Sequence, residues 1–339
     1  MAAMGEFELI RRYFAPMAKA AKPASDGSGL LLGVGDDCAI QRVPANQDLV
    51  FSVDTLVEGV HFPMGYCPHF LGWRALAVAV SDLAAMGAQP VCFTLALTLP
   101  AADEAWLEGF AAGLAQASQQ FGIVLAGGDT TRGPLTLSLQ VHGTVPQGQA
   151  LRRDGAREGD LVCVSGQLGD AGAALDFLYD TAPATDAASV LQRYHYPQPR
   201  LELGIALRSV ASAAVDISDG LHADLLHILR ASGVGATIDL AALPLSAALR
   251  RIKGDAAAGF ALQSGDDYEL CVTVPEQRWA AASRGLQQQL TVIGQVQQEP
   301  GLRLNADAGM VYSRRPGFDH FSTTSQRAAD TLHTASGPR

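Results

Sequence analysis

Hydrophobic and polar positions alternate along this chain with two periods. Near the start, Phe7, Ile10, Phe14 and Met17 recur at helical spacing, which predicts an amphipathic helix over 5–20. LVFSVDT (49–55) reads as a strand ending in an acidic turn, and 70–86 as a long, mostly apolar helix interrupted at Ser81-Asp82. FTLALTL (93–99) and LTLSLQVHGTV (135–145) alternate with period two, as half-buried strands do, and 103–121 between them has helical spacing. The polar, glycine-containing run QGQALRRDGAREGD then marks a boundary near 147–159. A second unit opens with the strand DLVCVSG (160–166), with helices around 169–179, 198–212 and 219–232 and later strands ATIDL, YELCVTV and LTVIGQV. The segment 181–188 reads as a surface loop. Intermixed strands and helices predict an α/β (α+β) fold with antiparallel pairing. Its domains would be 1–150 and 151–321, followed by a polar, aperiodic tail at 322–339.

Composition narrows the function. With 339 residues, 48% of them hydrophobic, the chain can bury two cores. Its net charge of −10 argues against nucleic acid as a partner, because that binding rests on basic residues neutralising phosphates. No apolar run is long enough to span a bilayer, and MAAMGEFELIRRYF lacks the apolar core of a signal peptide, so the cytoplasm is the expected location. The five cysteines form no C-x-x-C pair. Cys92, Cys163 and Cys271 fall in strand-like runs and read as buried thiols. Lysine occurs only at Lys19, Lys22 and Lys253. A polyphosphate bound here would be neutralised by arginine, backbone N–H groups or metal ions.

Six Gly/Asp segments carry the candidate chemistry: GVGDDCAI (33–40), SVDTLVEGVHF (52–62), VSDLAAMG (80–87), AGGDTTRGP (126–134), DISDGL (216–221) and SGDDYEL (264–270). Each alone also reads as ordinary turn chemistry. Each places a carboxylate at the end of an apolar run or in a glycine-flanked turn, and four of them (33–40, 126–134, 216–221 and 264–270) follow or join strands; there a short carboxylate holds a hard cation and a bare backbone approaches phosphate. Converging carboxylates repel unless a cation lies between them. G-x-x-x-x-G-K-[ST], H-E-x-x-H and G-x-S-x-G are all absent, so P-loop, zincin and serine-hydrolase chemistry are not indicated. A lone histidine such as His61 is more often structural than functional. Arginines such as Arg132 and Arg153 are ordinarily solvated, yet arginine is the natural triphosphate ligand in a lysine-poor chain.

In order along the chain, GEF-x-LI, GDDCA, S-x-DTLVEGVHF, SDLAAMGA-x-P, GGDTTRGPL, HG-x-VP, DISDGL, DYEL and GFDHF resemble the thiamine-monophosphate kinases from about residue 5 to 321. The resemblance implies the two-domain fold shared with aminoimidazole ribonucleotide synthetase, with mixed sheets, helices packed on them, and N-terminal domains pairing in a homodimer. It implies transfer of phosphate from ATP to thiamine phosphate, giving thiamine diphosphate, with several Mg²⁺ ions bridging carboxylates and phosphates. By motif, the metal positions are Asp37, Ser52, Val53, Asp54, Asp82, Asp129, Asp216 and Asp219. Val53 stands where the family has threonine and offers only its backbone carbonyl. ATP contacts carry over to Gly128, Asp129, Arg153 and Ser218, and substrate contacts to His61, Asp266 and Phe318. Asp266 replaces the family's glutamate and is one methylene shorter. The resemblance assigns no covalent nucleophile, so direct in-line transfer is expected. The rival readings are another enzyme of the same superfamily and a non-catalytic ATP- or metal-binding regulator.

Overall fold

The computed structural model describes residues 6–18, 25 and 27–305. Phe318, the GFDHF motif and the tail predicted at 322–339 lie outside the described residues. The chain divides into two compact units. Among the described residues, one comprises those up to Leu83 with Gln89–Gln147; the other comprises Ala84–Ala88 with Gly148–Asn305.

In the first unit, residues 6–18 are helical, with a π-helical turn at Ile10–Phe14 between α-helical turns. That turn carries one extra residue and rotates the buried face. Leu9, Tyr13, Phe14 and Met17 are buried, and Ile10 is only half-buried. Strands β1 (Gly29–Leu32) and β2 (Ile40–Arg42) pair as a small hairpin. A four-stranded sheet follows in the order β3-β6-β4-β5, from β3 (Gln47–Val57), β4 (Gln89–Leu99), β5 (Val124–Arg132) and β6 (Thr136–Pro146). One sheet face is buried through Leu56, Leu95, Leu97, Leu137, Leu139 and Val141.

Two helices, Pro68–Ala85 and Glu104–Phe121, complete this unit. Their backbones approach closely: a Cβ on Gly72 would stand 2.2 Å from the Phe110 carbonyl, and one on Gly113 would stand 1.9 Å from that of His69. The first helix runs through Ser81-Asp82 without the expected interruption. Serine in a helix interior costs about 0.5 kcal/mol, small against burying Leu76, Val80 and Leu83 around it. The second begins where Asp103 accepts the N–H groups of Ala105 and Trp106.

The second unit is a six-stranded sheet in the order β12-β9-β11-β7-β10-β8. Its strands are β7 (Leu161–Ser165), β8 (Ala213–Ile217), β9 (Gly235–Asp239), β10 (Glu269–Val274), β11 (Leu290–Gln297) and β12 (Gly301–Asn305). All neighbours are antiparallel except β12 and β9. Strands β8 and β10 are buried at every position, so the sheet is covered on both faces there. The expected loop over 181–188 gives way at Thr185 to a helix, Thr185–His195. Its turn-like opening hides an apolar face of Ala187, Val190, Leu191 and Tyr194. Cys92, Cys163 and Cys271 are buried and Cys38 and Cys67 exposed. Burial pushes Cys92 up to about 11 and Cys163 up to about 12, so neither is a ready nucleophile.

Candidate active site

In the first unit, the site residues sort by sheet face. Along β3, Leu49, Phe51 and Val53 point to an open face, while Ser52 and Asp54 point to the buried one. There they meet Asp82, presented by the helix Pro68–Ala85: the Ser52 hydroxyl donates to the Asp82 carboxylate. Burial, and then the charge of Asp82, push Asp54 up to about 6. Ser52, Asp54 and Asp82 thus form one oxygen-only group.

Asp129 does not join them through the sheet. Asp54 pairs with Leu139, which pairs with Leu95 and through it with Gly128; Asp129 falls in the next row, with Ala96, Ser138 and Thr55. It therefore lies on the open face, three strand spacings or about 14 Å from β3. The preceding Gly128 is required by space, since a Cβ there would lie 1.9 Å from the Leu95 carbonyl oxygen. Asp37 is exposed in the loop after β1, its N–H donating to Asp36 Oδ1 at 2.8 Å.

His61 is held in a tight turn. Its N–H donates to the Val57 carbonyl at 3.0 Å, and its Nδ1 accepts the Val57 N–H at 3.0 Å. An accepting Nδ1 assigns the ring proton to Nε2.

In the second unit, DISDGL forms the end of β8 and the turn into the helix Leu221–Ser232. Asp216 is buried on the strand. Ser218 and Asp219 follow, and both of their N–H groups donate to Asp224 Oδ2 at 3.0 Å. Burial, then the charges of Asp216 and Asp219, push Asp224 up to about 8. Sequence reading missed Asp224. Its only signal was an aspartate in the first helical turn, a placement shared with ordinary helix starts.

Arg153 is exposed, on a segment pinned by Ser232, whose hydroxyl donates to the Arg153 carbonyl at 2.8 Å and accepts the Ala156 N–H at 3.1 Å. Partial burial, then Arg153 and Arg230, hold the nearby His227 below its ordinary value, against the opposing pull of Asp219. Arg153, Arg230 and Asp219 therefore share one electrostatic neighbourhood.

Asp266 sits in a clamped loop. Its N–H donates to the Ser218 carbonyl and that of Tyr268 to Ile217, both at 2.8 Å. Asp266 and Tyr268 have φ of 69° and 50°, the left-handed region that costs a non-glycine residue about 1–2 kcal/mol. Between them, Asp267 is buried, and both its oxygens accept the Gly169 N–H, at 3.0 and 2.9 Å. Next in the chain, the fully buried Glu269 accepts from Arg193, Arg200 and Ser165 at 2.5–2.6 Å.

No group of three or more metal-ligating side chains is preassembled among the described residues. The donor chemistry nevertheless suits Mg²⁺. Both acidic groups offer only oxygen, and the charges acting on Asp54 and Asp224 come from other aspartates.

Residues 35–145 match the family described as AIR synthase related protein, N-terminal domain, and residues 157–307 its C-terminal domain. The chain is 46% identical to the thiamine-monophosphate kinase of Escherichia coli (strain K12), over 95% of this chain and 99% of that one. It is 40% identical to the Haemophilus influenzae enzyme of the same name, over 94% and 98%. Among solved structures, the thiamine-monophosphate kinase from Stenotrophomonas maltophilia K279a superposes with a TM-score of 0.80 at 46% identity, covering 90% of this chain and 98% of that one. The structure described as AaThiL complexed with AMPPCP and TMP superposes with a TM-score of 0.75 at 31% identity, covering 94% and 97%. On these matches and these motifs, the chain belongs to the AIR synthase related family and, within it, to the thiamine-monophosphate kinases.

Proposed function

We propose that this chain transfers the γ-phosphoryl group of ATP to thiamine phosphate, giving ADP and thiamine diphosphate. The observation that carries this reading is the Ser52–Asp82 contact beside Asp54 on the buried sheet face, where the like charges of Asp54 and Asp82 favour a cation; within the second unit, Asp216 and Asp219 act on Asp224 in the same sense. The relative complexed with AMPPCP, an ATP analogue, and TMP supports both substrates.

Several Mg²⁺ ions would be held by Asp37, Ser52, Asp54, Asp82, Asp129, Asp216, Asp219 and the Val53 carbonyl; when bound, they supply charge neutralisation between the two phosphorylated substrates. Asp224 orients the Ser218–Asp219 turn through two backbone N–H groups. The Gly128 backbone, Asp129, Arg153 and Ser218 bind ATP. His61 (donating from Nε2), Asp266 and Phe318 bind thiamine phosphate.

The acceptor is itself an anionic oxygen nucleophile, so positioning rather than a general base carries the rate, and transfer is direct and in-line. No helix among the described residues is long and apolar enough to cross a membrane. The enzyme works in the cytoplasm as a homodimer, a state supported by the bare row Leu49, Phe51 and Val53 on β3, exposed by 40, 63 and 57%.

The test is mass detection of thiamine diphosphate after incubation with ATP, Mg²⁺ and thiamine phosphate, with free thiamine in parallel. Product from thiamine phosphate and little from thiamine is expected. ATP consumption without thiamine diphosphate, or equal kcat/KM on both acceptors, would overturn the reading.

A further inference from the structure

We propose that Tyr268 is a positioning residue for the acceptor: its hydroxyl donates to Asp266 Oδ1 at 3.0 Å and fixes the carboxylate that receives thiamine phosphate. The proposal rests on the reading of Asp266 as an acceptor-binding residue.

The surroundings are built to hold this contact. The tyrosine body is buried, with 9% of its surface exposed, whereas Asp266 is half-buried. A buried tyrosine keeps its hydroxyl where a polar partner meets it, and that partner is the carboxylate two residues earlier. In an extended strand, residues two apart project in parallel along one face. Here both residues take left-handed φ with Asp267 between them, and the chain folds back far enough for the tyrosine tip to reach its neighbour's carboxylate.

Both ends of the loop are anchored. At one end Gly265 packs so closely on the turn after β8 that a Cβ would lie 2.3 Å from the Ser218 carbonyl oxygen. At the other, Glu269 is held by two arginines and a serine. The loop's ends and its middle residue are fixed, and the Tyr268 hydroxyl adds a direct contact that orients the Asp266 carboxylate. A short carboxylate on a clamped loop cannot search for its ligand, so a bond that orients it bears on acceptor affinity.

The experiment compares Tyr268→Phe, Asp266→Asn and the double variant by steady-state kinetics in both substrates, with Tm alongside. Tyr268→Phe is expected to raise KM for thiamine phosphate roughly tenfold, the scale of one lost hydrogen bond to a charged group. KM for ATP and kcat should stay within about twofold. In the Asp266→Asn background the same change should add little, because both act through one carboxylate. Equal rises in both KM values with a lowered Tm would mark a purely structural tyrosine and overturn the proposal, as would full additivity. An unchanged acceptor KM in Tyr268→Phe alone overturns the positioning role and leaves the acceptor site intact. An unchanged acceptor KM in Asp266→Asn overturns the site reading itself, and the proposal with it.

Discussion

Asp54 concentrates the chemistry of the first unit in one side chain. It lies on the buried face of β3 beside Asp82, and burial and that charge together lift it to about 6. A like-charge pair held this way is a cost to the metal-free fold and an asset to a cation site. Asp54→Asn is therefore expected to fold normally and, in chelator, to match or exceed the parent in Tm. It should lose most turnover and bind Mg²⁺ more weakly by calorimetry. Near-parental turnover with an unchanged Mg²⁺ isotherm would remove Asp54 from the site. Asp224 makes the parallel case in the second unit: it holds two backbone N–H groups of the Ser218–Asp219 turn, a contact that no spacing along the chain reveals.

At the scale of elements, the loop between the helix Ala257–Gln263 and β10 is tied to the rest of its unit by Asp267, whose two oxygens both accept from Gly169. Burial is the first reason that Asp267 sits well above the ordinary carboxylate range; the Gly169 N–H opposes it and the charge of Glu269 adds to it. A carboxyl whose folded pKa is raised binds its proton more tightly folded than unfolded. It therefore costs stability as pH rises from about 3.9, its unfolded value, towards that higher folded value. Asp267→Asn keeps an acceptor for Gly169 and cannot ionise. Its stability in urea melts should fall less than the parent's as pH is raised above about 4. Parallel curves for the two proteins would show that Asp267 does not titrate in this window. Strand elements were legible from period-two alternation, as in 93–99 and 135–145. The π-turn at Ile10–Phe14 and the helix Thr185–His195 were not, because a shifted helical register and a turn-like opening erase the local signal.

Across the whole molecule, the sheet β3-β6-β4-β5 has one face buried and the other partly open, with Gln41 of the β1–β2 hairpin over Cys92 and His142. The open face carries Leu49 and Phe51 on its edge strand, an uncovered apolar row of the kind that a second copy covers. Replacing both, as Leu49→Glu with Phe51→Glu, is expected to halve the mass in sedimentation while circular dichroism stays unchanged. A parental mass would remove this row from the proposed contact between copies, and a monomeric parent would overturn the homodimer reading.

The sequence by itself determined the two α/β units, the buried thiols of Cys92, Cys163 and Cys271, and the identity of the acidic loops. Each of these is written locally, in the period of apolar residues or in a contiguous motif. The tertiary structure alone decided how those loops are grouped. The period of a strand says that Asp54 and Val53 face opposite ways, but not which face is buried. Register across β3, β6, β4 and β5 sets Asp129 apart from Asp54, and the fold brings Asp82 to Asp54 from a helix 28 residues further on. The Tyr268–Asp266 contact depends on two left-handed residues that no local propensity favours, held by partners distant in sequence: Ile217, Ser218 and Gly169. Strain of that kind persists only where the surrounding packing enforces it, so it becomes visible only once the packing is known.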